Sequence, residues 1–352
     1  MAIVINGSGT VTGLSVGGLP DGTVDNDTVA SGLASSKLTG ALPAISGASL
    51  TNVPSVNPNI LINGGFDIAQ RGTTISSIGS AKYTLDRWNA ISSGADSTVT
   101  KVNGATYPKA LRLTGAGSTS GTYLQQKVES VNSRHLAGQT ATFSVYLRAS
   151  TSINIEFSIK YATSTDNFGG TTSIASTTFN VTTTDTKFTW TGSIPSAATT
   201  GIQVQLKIGS QGSAWYEASN AKLELGSTAT DFEPRSYGEE LVLCQRYYQQ
   251  FGHASVEQPV GAGVWNDANQ VLGHFPYLQQ MRTTPTTSVS STGFLRAYGG
   301  FSGNKISTGG QPLDGITTTS ARFNVDFASS TAGDGTFLQV VGGQYIYLDA
   351  EL

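Results

Sequence analysis

The stretch SINIEFSIKYA (Ser152–Ala162) sets Ile153, Ile155, Phe157, Ile159 and Tyr161 at every second position. Alternation of this kind puts one face of an extended strand in a core and the other in water. The rule repeats on both sides of it. Phe143, Val145 and Leu147 alternate in ATFSVYLRA, as do Phe179 with Val181 and Phe188 with Trp190. Ile202, Val204, Leu206 and Ile208 follow the same period. Many short alternating runs separated by Gly, Ser and Asp turns predict a mainly β protein, an antiparallel jelly-roll sandwich over residues 58–235.

Composition agrees with this reading. Charged residues make up 12% of the 352-residue chain, and Gly occurs 42 times. That is about half the usual charged share, so hydroxyl side chains must keep the surface wet, as in an extracellular or virion-borne β protein. A net charge of −3 and the lack of a long basic run argue against a nucleic-acid partner. No run of about 18 apolar residues is present for membrane insertion, and no export signal is expected at the start. The lone cysteine, Cys244, excludes an intramolecular disulfide framework.

Three further segments flank the sandwich. Residues 1–57 mix turn formers with isolated apolar residues and read as an irregular N-terminal arm. Val29, Leu33, Leu38 and Leu42 in this arm cannot be buried by so sparse a segment alone. The arm is therefore either a disordered tail or ordered by pairing with copies of itself or a docking partner. In residues 236–252, Ser236 and Glu239 have capping-box spacing, and Leu241, Cys244, Tyr248 and Phe251 recur at helical intervals. This predicts one linking helix of about three turns, with Cys244 on its apolar stripe. Strand signals return in residues 253–352 and imply a second, smaller C-terminal β domain.

Few residues present a recognisable chemistry. His135, His253 and His274 have no metal-ligand spacing, and neither a G-x-S-x-G motif nor a phosphate-binding loop occurs. Two glycosidase carboxylates can come from distant strands, but no acid stands in a telling context, so a non-enzymatic protein is expected. Sugar binding asks for less: a flat aromatic ring and planar polar partners. Trp265 with Asn266 and Asp267 meets that description, as do Trp88 with Arg87, and Trp215 with Tyr216. Trp88 and Trp265 each have a structural alternative, as a core or corner residue. The C-terminal aromatics Tyr277, Tyr298 and Phe301 are candidate contributors to the same surface. No cofactor is expected beyond a structural Ca²⁺, for which Asp67 and Glu224 are candidates by position, with ordinary surface acids as the alternative.

Several longer stretches carry a resemblance. NILINGGFDIAQRG (Asn59–Gly72), YTLDRW (Tyr83–Trp88), KLELGSTATDFEPRSYGEELVLCQRYYQ (Lys222–Gln249), MRTTPT (Met281–Thr286) and IYLDAEL (Ile346–Leu352) occur in an order similar to that of bacteriophage tail fibre and receptor-binding proteins. The resemblance touches nearly the whole chain and implies a jelly roll like those of carbohydrate-binding modules. It implies a homotrimer attached to other tail or baseplate proteins through its arm, with the C-terminal domain as the receptor-binding tip. Host-surface polysaccharide or lipopolysaccharide is the implied ligand. The implied location is the virion, assembled in the host cytoplasm and released by lysis. Trimer contacts are then expected from the arm leucines and Val29, and from Leu241, Cys244 and Tyr248 of the helix. A polysaccharide-degrading tailspike and a purely structural virion adaptor or decoration fibre are the alternatives. NPNILINGGFDIAQR (Asn57–Arg71) is expected to be an architectural corner, with Asn63-Gly64-Gly65 turning through positive φ and Phe66 entering the core.

Overall fold

The computed structural model describes residues 58–298, 304–309, 312–328 and 332–352. It also describes a short pairing of β1 (Val4–Ile5) with β2 (Val11–Thr12). The chain divides into two compact units, Met1–Pro54 and Ser55–Leu352. Val29, Leu33, Leu38 and Leu42 lie outside the described residues, as does Phe301.

The second unit begins with the sandwich. Its strands are β3 (Thr74–Ile78), β4 (Lys82–Tyr83), β5 (Asn89–Ser93), β6 (Ser97–Val102), β7 (Ala110–Thr114) and β8 (Gly121–Val128). After a short helix, α1 (Ser130–Ser133), come β9 (Thr140–Ala149), β10 (Ile153–Ser164), β11 (Asn167–Val181), β12 (Thr186–Ser193), β13 (Ile202–Ile208) and β14 (Trp215–Leu225). One six-stranded sheet runs β11-β10-β13-β8-β5-β4 and the other β12-β9-β14-β7-β6-β3. The alternating residues face inward as their period requires: Ile155, Phe157 and Ile159 of β10 share a core with Phe143, Val145 and Leu147 of β9. Phe143 stacks on Phe157 with centroids 4.3 Å apart, tying one sheet to the other.

The helix is shorter than its apolar spacing predicts. α2 (Tyr237–Gln245) has the expected capping box between Ser236 and Glu239, but Tyr248 and Phe251 belong to a strand, β15 (Tyr248–Phe251). Helical spacing over so few turns also fits a helix followed by an extended segment; pairing with the chain's last strand decides the issue. Cys244 and Tyr248 are buried within their own chain, which corrects their assignment as trimer contacts. Cys244 lies with Ile62, Ile68 and Tyr247, with Leu241 packed against that cluster. Burial pushes the Cys244 thiol well above its ordinary pKa, as suits an inert core residue.

The C-terminal region contains β16 (Gln258–Trp265), β17 (Gln270–Pro276), β18 (Thr286–Val289), β19 (Leu295–Tyr298), β20 (Lys305–Gly309), β21 (Leu313–Asp314), β22 (Ser320–Phe327), β23 (Gly335–Val340) and β24 (Ile346–Asp349). A seven-stranded sheet runs β17-β16-β23-β19-β20-β22-β21, and β22 pairs back onto β17 to close it into a barrel. Its core is built by Trp265, Phe275, Phe323, Phe327 and Leu338. A separate three-stranded sheet places β24 between β15 and β18.

The stretch Asn57–Arg71 is where these parts meet, and the turn is made differently from the expected glycine turn. Positive φ falls on Asn63 (56°) and Phe66 (59°), not on the glycines. Gly64 is needed for a close approach: a Cβ there would lie 2.1 Å from the Ala221 carbonyl oxygen. Asn63 is fully buried and uses all its polar groups. Its side-chain amide donates to the Ile68 and Asp86 carbonyls and its Oδ1 accepts from the Ile68 N–H, each at 2.9 Å. Its backbone N–H donates to Glu240, and its carbonyl accepts from the Trp88 indole at 2.9 Å. Phe66 packs beside Trp88 in the sandwich core, as expected.

Two arginines extend this corner to the last residues. Arg71 pairs with Asp349 at 3.1 Å and Glu351 at 3.4 Å, and its guanidinium lies 3.6 Å from the Tyr248 ring centre. Arg87 pairs with Glu351, lies over Tyr247 at 3.5 Å, and donates to the Lys127 carbonyl at 2.6 Å. The backbone oxygen of Leu352 accepts from Tyr83 and Lys127, both at 2.7 Å. Thus NGGFDIAQR, YTLDRW, CQRYY and LDAEL, distant in sequence, form one seam between the sandwich and the C-terminal strands.

Candidate glycan-binding face

The same alternation that fills the core fixes the opposite face of the β10-β13-β8-β5 sheet. With Ile155, Phe157 and Ile159 inward, Glu156, Ser158 and Lys160 point outward. The register then sets Ser158 opposite Gln205, and Gln205 opposite Gln125, which in turn faces Asn89. A second row contains Lys160, Gln203 and Lys127, and a third contains Glu156, Lys207, Tyr123 and Ile91.

The middle row is a linked set of amides. Gln125 Oε1 accepts from Gln203 Nε2 and Gln205 Nε2, both at 2.7 Å, while Gln125 Nε2 donates to Asn89 Oδ1 at 3.1 Å. Gln205 Oε1 accepts from Lys160 Nζ at 3.0 Å. Asn89, Gln125, Ser158, Gln203 and Gln205 are all buried despite their outward direction, so neighbouring side chains shelter the row. Half-buried rings border it: Tyr123 lies 5.9 Å from Lys207 Nζ, and Phe168 lies 5.6 Å from Lys127 Nζ. Burial, with Arg87 nearby, lowers the Lys127 pKa. Fixed amides offer both donors and acceptors, which matches a hydroxyl's dual capacity. Rings at the border supply apolar surface for the C–H face of a sugar.

The sequence-predicted site residues are placed elsewhere. Trp265 and Trp88 are each 1% exposed, so neither is a stacking platform; both are core residues, packed against Phe327 and Phe66 respectively. Arg87 is also 1% exposed and is engaged at the seam. Asn266 and Asp267 are exposed in the turn after β16, where Asp267 accepts from the Asn269 N–H at 2.7 Å. Tyr277 is half-buried against Phe275, and Tyr298 donates its hydroxyl to Glu257 at 2.5 Å. Trp265, in the core, supplies no exposed ring to a surface shared with them. Trp215 lies on the outside of the other sheet, under Arg112 at 4.3 Å, while Tyr216 is buried in the core.

The Ca²⁺ candidates are likewise accounted for. Glu224 is fully buried and accepts from the Thr230 N–H at 2.9 Å and its hydroxyl at 2.6 Å, with Lys222 at 3.3 Å. A carboxylate so engaged belongs to an internal network, which corrects its assignment. Asp67 lines a pocket with Tyr107, Lys109, Asn220 and Phe232. Among the described residues no cluster of three or more His, Cys, Asp or Glu side chains has metal-binding geometry.

The face escaped sequence reading because glutamine is a common outward strand residue. Its signal was present in IQVQLKI (Ile202–Ile208), where Gln203 and Gln205 alternate with the core residues. Only cross-strand register brings them to Gln125 and Asn89.

No protein-family description matches this sequence, and no curated protein matches it. Several solved structures match about half of this chain at low similarity. One described as a CBM4 structure is 19% identical, covering 47% of this chain and 98% of its own, with a TM-score of 0.34. The enzymatically active domain of tailspike protein 4 of bacteriophage CBA120 is 16% identical, covering 48% of this chain and 21% of its own, at 0.35. TmCBM61 in complex with beta-1,4-galactotriose is 14% identical, covering 48% and 99%, at 0.32. Likenesses of this strength carry no conclusion about ligand or activity.

Proposed function

We propose that this chain is a non-enzymatic glycan-binding subunit of a phage tail fibre, acting as a homotrimer in host adsorption. The observation that carries glycan binding is the sheltered row Asn89–Gln125–Gln205–Ser158, with Lys127, Lys160 and Lys207 beside it and Tyr123 and Phe168 at its borders. The buried amides, bonded to one another, make a fixed floor, and the half-buried lysines and rings beside them offer donors for hydroxyls and apolar surface for a pyranose edge. Three linked copies would raise avidity for a repetitive surface glycan without requiring strong individual sites. The motif order along the chain supports the fibre assignment.

The test is binding to a bacterial polysaccharide array with Gln125→Ala, whose folding is checked by circular dichroism. Binding should fall at least about tenfold, equivalent to about 1.4 kcal/mol. Full retention by a folded variant would reject the face. Incubation of the same polysaccharides with the wild type should leave their size unchanged, whereas shortened chains would make this a depolymerase. Native mass spectrometry should give three times the 36.6 kDa chain mass.

A further inference from the structure

Beside the seam lies an open cleft of about 550 Å³, lined by Arg71, Lys82, Tyr83, Tyr248, Tyr347 and Asp349 among others. We infer that this cleft is a second carbohydrate site, distinct from the sheet face, which takes a neutral sugar with adjacent hydroxyl groups. This inference deepens the glycan-binding reading.

The cleft combines rings with exposed polar groups of both signs. Tyr248 and Tyr347 have roughly aligned planes, 22° apart with centroids separated by 6.5 Å, and Tyr345 continues the series 6.0 Å from Tyr347. The Tyr248 ring is backed by Arg71, and Tyr83 is fixed by its bond to the Leu352 oxygen. Tyr248, buried under Arg71, and Tyr83 are therefore held in place before any ligand arrives, which lowers the cost of binding, and the half-buried Tyr347 presents the more open ring. Asp349 has a side chain 41% exposed; its Oδ2 accepts from Arg71 and its Oδ1 from the Glu351 N–H at 3.0 Å, and the lone pairs left on the two oxygens can accept from adjacent sugar hydroxyls. Lys82 donates to the Ser76 carbonyl at 3.1 Å and retains donor capacity on the opposite side. Arg71 Nη1 is buried with no hydrogen-bond partner, an unspent donor in the wall of the cleft.

Charge decides between neutral and acidic sugars. Arg71 already faces Asp349 and Glu351, and Asp349 is the acid most open to solvent here. With Arg71 facing those two acids and the exposed Lys82 set against Asp349, the cleft has no net positive charge to hold a carboxylate, whereas a neutral diol can use both the acceptor and the donor. The sheet face has no tyrosine in common with the cleft, so the two sites report separately.

The experiment is NMR on the full chain with ¹³C-labelled tyrosine, titrated with cellotriose, mannotriose, maltotriose, galactotriose and galacturonic acid trisaccharide. Tyr347 signals, assigned from Tyr347→Phe, should move with at least one neutral trisaccharide, together with those of Tyr83, and in the Tyr347→Ala variant the Tyr83 signals should report binding at least tenfold weaker. Gln125→Ala should leave it unchanged. Tyr347 signals that stay still while Tyr123 signals move would overturn the cleft and leave the sheet face standing. Movement only with the acidic trisaccharide would overturn the assignment to neutral sugars. Stillness at both positions with all five ligands would reject both sites.

Discussion

Asn63 illustrates how one side chain can organise a junction. Its left-handed backbone suits a residue whose amide bonds locally, and its amide closes onto Ile68 and Asp86. Asp86 in turn holds Gln70, accepting from its N–H at 2.6 Å and its side-chain amide at 2.7 Å. Burial raises the Asp86 pKa, and Arg71 and the Gln70 bonds offset this only in part. A carboxyl whose folded pKa exceeds its unfolded value stabilises the fold below the unfolded pKa. That contribution is lost as pH rises through the folded value. The stability of the wild type relative to Asp86→Asn should therefore decline as pH climbs from about 4 through that window. Urea unfolding across this range measures it; parallel curves for the two proteins would show an Asp86 pKa that folding leaves unchanged.

At the scale of elements, β24 is the clearest case of a strand that only partners explain. Its Ile346 and Leu348 are buried while Tyr347 and Asp349 are half-exposed, so alternation marks it as a strand. Its position between β15 and β18, however, depends on pairings across about a hundred residues for β15 and sixty for β18. A chain ending at Tyr345 should lose both ladders and expose β15 and β18 as unpaired edges. Limited proteolysis should then cut after residue 245 in the truncated chain before it cuts the sandwich. Equal resistance of both regions would contradict the role given to β24. The helix reading failed at this same place: Tyr248 and Phe251 fit a helical stripe, but β24 offered them a ladder and a core. The sandwich strands were easier, since their own alternation selects the buried face.

Across the whole molecule, the seam couples the sandwich to the C-terminal strands through Arg71, Arg87 and Glu351. Glu351 has a side chain only 4% exposed and faces both arginines. Removing one partner of a buried ion pair leaves uncompensated charge and costs about 3–5 kcal/mol. Glu351→Gln should accordingly destabilise the protein by a similar amount, and calorimetry should resolve separate transitions for the two β regions. A single unshifted transition would mean that the arginines do not link their stability.

The strand period, the low charge and the capping box determined, within the sequence alone, a β sandwich, a hydroxyl-rich surface and a helix start at Ser236. These are local signals, carried by neighbours within a few positions. The sequence offered Trp88 and Trp265 both a core and a binding role, and only the tertiary structure chose the core, because exposure depends on what the rest of the chain places over a ring. The amide row and the tyrosine cleft belong wholly to tertiary structure. Gln125 meets Gln203 and Gln205, and Arg71 meets Asp349, only after register and seam have brought distant strands together. Hydrophobic periodicity specifies which face is buried; it does not specify which polar residues will share the other one.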